Sequence, residues 1–107
     1  MLLNNKTIPI IDAHHHFWDL SMMKHPWLCF KPPIKFRYGD YSKICKNFLV
    51  EDYMCVSKNQ NVVKTVHMEA EWVMSNPVEE TIWLHKIFDK SNFPNAIVAQ
   101  AWFHQEE

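Results

Sequence analysis

Histidine and aspartate side chains are concentrated where a short apolar stretch ends near the amino terminus. The stretch IPIIDAHHHFWDL, residues 8–20, places three consecutive histidines just after Asp12. Side chains two residues apart in a strand point to the same face, so Asp12, His14 and His16 are expected to share one face. His15 is expected to face the other way. Two adjacent neutral imidazoles can bind one metal ion, but ordinary polar residues at a strand end give the same pattern.

A second polar cluster follows the apolar start of residues 62–72, VVKTVHMEAEW. The early β-branched residues favour a strand, and alternation puts His67, Glu69 and Glu71 on one of its faces. This pattern predicts polar chemistry at the carboxyl end of a second strand. The alternative is an amphipathic strand whose polar face is solvated.

The elements that would position these residues alternate between strand and helix. In the second helix, Asn76 is expected to cap, with Pro77 in the first position and Glu79 completing a capping box. Such alternation implies parallel strands, whose carboxyl ends gather ligands at one edge of the sheet. Strands are predicted over 8–16, 62–72 and 95–103, and helices over 49–59 and 76–90.

A long loop, at about 20–48, separates the first predicted strand from the first predicted helix. It contains several prolines and the single glycine, and its many aromatic residues argue against disorder. These rings either cover an edge of the core or form a lid or substrate wall over the end of the first strand. They are Trp27, Phe30, Phe36, Tyr38 and Tyr41.

Composition limits the class of protein. The 107 residues suit one domain over 1–107, and 48% hydrophobic and 14% aromatic content exclude a disordered chain. A net charge of −1 gives no general attraction to nucleic acid or to an anionic membrane. No apolar run is long enough to cross a bilayer. We therefore expect neither nucleic acid nor a membrane as a partner.

The three cysteines indicate the compartment. Cys29, Cys45 and Cys55 are odd in number and form no Cys-x-x-Cys motif. This favours reduced thiols in a cytoplasmic protein over a disulfide framework or a zinc knuckle. The segment 1–8 is too weakly apolar for a signal peptide.

Residues 11–19, IDAHHHFWD, resemble the first strand of the amidohydrolase-related metal-dependent hydrolases, which have a TIM-barrel fold. The similarity is to the subgroup that contains sugar-acid lactonases and lactonases of the 2-pyrone-dicarboxylate type. Residues 62–72 and 77–84 resemble the second strand and helix of that subgroup, and 96–99 fit its third strand. The resemblance covers roughly 9–103.

The resemblance implies a hydrolase in which an activated water attacks a carbonyl carbon. His14 and His16 would be the first metal-ligand pair, for a divalent ion such as Zn²⁺ or Mn²⁺, although some members of the subgroup work without a metal. Glu69 would be a catalytic residue on the active-site face. Trp18 and His67 would contact the small-molecule substrate, a lactone or a sugar-acid derivative.

The resemblance also implies an incomplete fold. A (β/α)8 TIM barrel needs about 250 residues, so the expected α/β fold is its amino-terminal part, from the first strand to the third. The later histidines and the late-strand aspartate of the family have no counterpart here. The chain would be a hydrolase fragment or, alternatively, a non-catalytic remnant or interaction module. We expect no efficient catalysis from it alone, and self-association through exposed barrel edges.

Overall fold

The computed structural model describes residues 8–35 and 39–106, so the expectations on Phe36, Tyr38 and most of 1–8 lie outside the described residues. Strands and helices alternate along the chain. None of the described helices is long and apolar enough to cross a membrane. The strands are β1 (Ile10–His15), β2 (Val62–Met68) and β3 (Ala96–Val98), and the helices are α1 (Pro26–Cys29), α2 (Val50–Ser57) and α3 (Val78–Ser91).

The three strands form one sheet in the order β1-β2-β3, and both pairings are parallel. The prediction that the second strand pairs in parallel with the other two is confirmed. The strands are shorter than predicted, and β3 has only three residues. After β2 the chain turns away at Glu71, whose φ of 54° lies in the left-handed region and ends the extended backbone.

The expected TIM-barrel part is wrong, although the α/β class is right. The described residues form an open three-stranded sheet in a small α/β domain. Every parallel α/β sheet alternates strands with helices, so the pattern behind the expectation does not distinguish a barrel from an open sheet. Barrel closure also needs many strands with matched tilt and stagger, which three strands, one of them very short, do not provide.

The main core lies between the helices and one face of the sheet. Phe17 follows β1, Tyr53 comes from α2 and Leu84 from α3, and all three are at most 5% exposed. The opposite face of the sheet is open: Ile11 is 61% exposed and Val98 is 45% exposed. Parallel sheets are normally covered on both faces, so this face is the least protected part of the described fold.

The loop between β1 and α2 is anchored to the start of α3. The imidazole of His25 donates to the carboxylate of Glu80 at 3.0 Å, and both side chains are buried. Nearby, Lys24 forms a more exposed ion pair with Glu79 at 2.8 Å. The loop also contains α1 and two short 3-10 turns, at Leu20–Met22 and Ser42–Ile44.

The predicted capping box at the start of α3 is wrong. Pro77 precedes the first helical residue, and no side chain caps the described helix start. Instead, the carboxylate of Glu79 accepts hydrogen bonds from Lys24 and from the indole N–H of Trp72. The Glu79 carboxylate therefore binds these two side chains, whereas the capping-box pattern predicts that it binds a backbone N–H at the start of the helix.

Candidate functional site

The imidazoles of His14 and His16 lie against each other at the carboxyl end of β1. Their Nε2 atoms are 3.3 Å apart, and the two rings meet edge to face. Two nitrogens that bind one tetrahedral Zn²⁺ at about 2.0–2.1 Å stand about 3.3–3.4 Å apart. The pair therefore has the spacing of two ligands on one metal ion, and the same spacing also permits a direct hydrogen bond between the rings.

Two contacts fix the His16 ring. Its Nδ1–H donates to the carbonyl oxygen of Met68 at 2.9 Å, so the neutral ring carries its lone pair on Nε2. The indole of Trp18 stacks on it, with ring centroids 5.8 Å apart and an interplanar angle of 14°. Backbone-bonded histidine nitrogens of this kind orient metal ligands. His16 thus presents Nε2 as an acceptor toward His14.

Asp12 does not join the two imidazoles, which corrects the expected grouping on one face. Its carboxylate accepts from the hydroxyl of Tyr53 at 2.7 Å and from the backbone N–H of His14 at 3.1 Å. Asp12 pairs with Thr65, but His15 pairs with His67, so β1 contains one extra residue over this interval. Such a bulge shifts the alternation and places Asp12 and His15 together on the helix-covered face.

His15 and His67 form a buried, uncharged pair beneath the site. Burial lowers the pKa of His15 to about 4, although the nearby Asp12 carboxylate opposes this effect. Burial and the neighbouring His15 lower the pKa of His67 to about 3. Both rings are therefore neutral at pH 7. Both nitrogens of His15 and the Nδ1 of His67 are buried without a hydrogen-bond partner among the described residues.

Asp12 and Tyr53 polarise each other beside this pair. Burial raises the pKa of Asp12, but hydrogen bonds from Tyr53 and His14 outweigh it, so the pKa lies below its ordinary value. Burial and the hydrogen bond to Asp12 raise the pKa of Tyr53. At neutral pH the carboxylate is thus charged and the phenol is protonated, and their hydrogen bond ties α2 to β1.

Of the other residues predicted for the site, Trp18 and His67 lie beside His16, with ring centroids 5.8 and 6.0 Å from its ring. Glu69 is half-buried, and its carboxylate accepts from the backbone N–H of Glu71 at 2.9 Å. His67 is fully buried, and its Nε2 accepts from the backbone N–H of Phe17 at 2.9 Å. Trp18 is 9% exposed and supports His16. Their catalytic and substrate-binding roles stay predictions, and in this conformation the His67 ring offers no open face to a ligand.

Trp27, an aromatic residue of the loop, packs against a second small core. Trp27 meets Trp18 edge to face at 5.9 Å, and its indole N–H donates to the carbonyl of Ala70. Trp18, Leu28 and Ala70 form the buried centre of this cluster. The position of Trp27 therefore supports the first alternative for the loop, in which its rings cover an edge of the core.

Sequence reasoning missed the groups that position His16. Two of them are backbone carbonyls: that of Met68, which accepts from the His16 ring, and that of Lys46, which accepts from the Trp18 indole at 2.7 Å. Every residue has a backbone carbonyl, so the sequence does not show which carbonyls will accept these hydrogen bonds. Tyr53, which binds Asp12, did carry a signal, because the hydroxyl of a buried tyrosine usually finds a hydrogen-bond partner.

The histidine pair fits part of a metal coordination sphere. Within residues 8–35 and 39–106, no group of three or more His, Cys, Asp or Glu side chains is arranged to hold a metal ion. Two imidazoles with the spacing of tetrahedral ligands would therefore need further ligands from water, substrate or another polypeptide segment.

Comparison with known proteins gives one relative of unknown activity. The chain is 43% identical over 102 residues to a protein of Sinorhizobium fredii (strain NBRC 101917 / NGR234) described as "Uncharacterized protein y4mH". The match covers 94% of this chain but only 33% of the relative, so the chain spans about a third of that protein. No family model and no solved structure matches the chain. The structure defines a small α/β domain with a three-stranded parallel sheet.

Proposed function

We propose that the chain supplies the histidine pair of a metal-dependent hydrolytic site of the amidohydrolase-related type. The substrate would be a lactone or a similar compound with a carbonyl C–O or C–N bond. The observation that carries the proposal is the 3.3 Å separation of the Nε2 atoms of His14 and His16, with the His16 tautomer set by the Met68 carbonyl. The resemblance of residues 11–19 to such hydrolases favours hydrolysis over other metal chemistry.

The residues have distinct roles in this proposal. His14 and His16 would hold a divalent ion such as Zn²⁺ or Mn²⁺, which acts as a Lewis acid on a carbonyl group when bound. His14 would carry its proton on Nδ1, so that both Nε2 lone pairs point to one position. Glu69 would orient the substrate or a ligand from the end of β2, and Trp18 would keep water from one face of His16.

Catalysis by the described residues alone would be slow. They provide two side-chain ligands, and among the described residues the Glu69 carboxylate makes no hydrogen bond to either imidazole. A hydrolase of this type needs at least one more ligand or base to activate water efficiently. We propose the cytoplasm as its compartment, because all three cysteines are free thiols.

A lactone-hydrolysis assay tests the proposed function. The purified chain is assayed against a panel of sugar-acid lactones, with and without added Zn²⁺ or Mn²⁺, beside the double variant His14→Ala/His16→Ala. We expect slow, metal-dependent hydrolysis that falls to the rate of the metal-containing buffer in the double variant. Equal rates for the two proteins would remove these histidines from the reaction and refute the hydrolase assignment.

A second candidate, a module that pairs with another polypeptide or with itself, rests on a different observation. Ile11 and Val98 are exposed on the open face of the sheet, and Val78 and Ile82 are more than half exposed on α3. The outer edges of β1 and β3 also lack a strand partner in the described sheet. Exposed apolar faces and free edges promote association. Concentration-dependent dimerisation by analytical ultracentrifugation, with no hydrolysis, would favour this candidate.

A further inference from the structure

Cys29 and Cys45 line the same cavity on the loop that joins β1 to α2. Cys29 is the last residue of α1, and Cys45 directly follows the 3-10 turn Ser42–Ile44. The cavity has a volume of about 530 Å³, and both cysteines are half-buried free thiols. Cys55, the third cysteine, is exposed on α2 and does not line this cavity.

Packing holds the two cysteine-bearing segments beside each other. The hydroxyl of Tyr41 donates to the carbonyl of Trp27 at 3.1 Å, and the two rings lie 5.6 Å apart. Cys45 packs against the buried cluster that contains Leu28, the residue before Cys29. The two thiols therefore lie on segments that contact each other at two points.

The thiols also interact electrostatically. Burial and the charge that Cys45 carries as a thiolate raise the pKa of Cys29. Such an effect requires proximity, since charge interactions weaken with distance and with screening by water. Among the described residues, each sulfur donates one long hydrogen bond to a carbonyl, Cys29 to Leu20 and Cys45 to Tyr41, both at 3.8 Å. Both bonds are weak, so a disulfide that replaced them would sacrifice little.

We propose that Cys29 and Cys45 form a reversible intramolecular disulfide by exchange with a small disulfide such as oxidised glutathione. One cysteine thiolate attacks a sulfur of glutathione disulfide, which forms a mixed disulfide and releases one glutathione thiolate. The other cysteine thiolate then attacks the protein sulfur of the mixed disulfide and releases the second glutathione. Two protein thiols are oxidised, one glutathione disulfide is reduced, and the two glutathione thiolates take up the two protons.

The disulfide would lie one residue from Lys46, whose carbonyl helps to position the histidine pair through Trp18. Lys46 directly follows Cys45, and its carbonyl accepts from the indole N–H of Trp18. Trp18 stacks on His16. Fastening Cys45 to Cys29 therefore holds the segment that positions the His16 ring. The disulfide itself does not depend on the proposed hydrolase function.

Redox titration of the purified chain tests the proposal. The protein is equilibrated in glutathione buffers of increasing oxidised fraction, quenched with acid and a maleimide, and analysed by intact mass and peptide mapping. We expect a species that has lost two hydrogen atoms, with the bond mapped to Cys29 and Cys45. Cys55→Ser should keep this species, whereas Cys29→Ser and Cys45→Ser should replace it with a glutathione adduct.

The same titration in guanidinium chloride separates a folded site from random pairing. Because the fold holds the two thiols together, the equilibrium constant for the disulfide should be at least about tenfold larger in the native protein than in the denatured chain. Equal constants, a native protein that takes up only glutathione, or a bond that involves Cys55 would each overturn the proposal.

Discussion

The carboxylate of Glu80 accepts a hydrogen bond from the buried imidazole of His25, 55 positions earlier in the chain, at 3.0 Å. The same carboxylate also accepts from the backbone N–H of Ala70, just beyond β2. The His25 ring also packs against Trp72 and Trp83, whose own rings lie 5.8 Å apart. This contact joins the loop after β1, the end of β2 and the start of α3, which makes it the main polar anchor of the carboxyl edge of the sheet.

Removal of this anchor should destabilise the fold. Glu80→Gln replaces one carboxylate oxygen with an NH2 group between the buried His25 ring and the Ala70 N–H, and a buried polar group left without a partner typically costs about 1–3 kcal/mol. Glu79→Gln is the matched control, because it removes the neighbouring, more exposed pair with Lys24, which should contribute much less. Urea denaturation followed by far-UV circular dichroism measures both. Equal losses for the two variants would contradict the assigned importance of the buried pair.

Acid should destabilise the metal-free protein through the buried histidines. The folded pKa values of His15 and His67 are lowered to about 4 and about 3, below the ordinary value of 6.5. Near pH 5 only the unfolded chain binds these protons, so stability is complete above about pH 6.5 and falls as the pH decreases toward the folded values. The free energy of unfolding, measured by urea titration with chelator, should be clearly lower at pH 5 than at pH 7.

A substitution tests whether the buried His15 ring causes this pH dependence. His15→Asn should reduce the difference between pH 7 and pH 5, whereas His85→Gln, at an exposed position on α3, should leave it unchanged. A wild-type stability that is the same at both pH values would show that these imidazoles are not buried in neutral form.

Trp18 should tune metal affinity by stacking on His16. Trp18→Phe keeps an aromatic ring beside the imidazole and should retain most of the Zn²⁺ affinity. Trp18→Leu removes the stacking surface, and loss of groups that orient a ligand typically weakens metal binding by about tenfold or more. Zn²⁺ competition with a chromophoric chelator measures both affinities. Similar affinities for the Phe and Leu variants would show that stacking does not orient His16.

Cys29 should react with thiol reagents more slowly at neutral pH than an ordinary cysteine does. Burial and the Cys45 thiolate raise its pKa above the ordinary 9.0, so the midpoint of its alkylation rate against pH should lie above that value. Cys45→Ser removes one of the two causes and should lower the midpoint. Mass spectrometry after timed iodoacetamide pulses follows Cys29 separately from Cys55. An unchanged midpoint in Cys45→Ser would place the two thiols too far apart to interact.

Local patterns predicted the strands, their parallel pairing and the neighbouring rings of His14 and His16. Alternation in a strand depends on the local backbone, so apolar β-branched runs identify β1 and β2. The grouping of Asp12 failed for a non-local reason. The extra residue between Asp12 and His15 exists only relative to the partner strand, and one sequence does not reveal where a partner requires a bulge.

Long-range partners explain the other differences. Glu79 satisfies a local capping pattern, but Lys24 and Trp72 from distant segments take its carboxylate. His67 is expected on a polar strand face, yet it is fully buried, and its Nε2 accepts from the backbone N–H of Phe17. The barrel expectation failed because strand and helix order does not determine how many strands a sheet contains.

Zn²⁺ binding by isothermal titration calorimetry tests the central claim, that His14 and His16 form a metal-ligand pair. We expect one Zn²⁺ per chain, with binding weakened at least about tenfold in His16→Ala and lost in His14→Ala/His16→Ala. His85→Ala, which removes an exposed histidine on α3, should bind as the wild type does. If the double variant binds Zn²⁺ as tightly as the wild type, the 3.3 Å contact between the two Nε2 atoms is a hydrogen bond between rings and not a metal site.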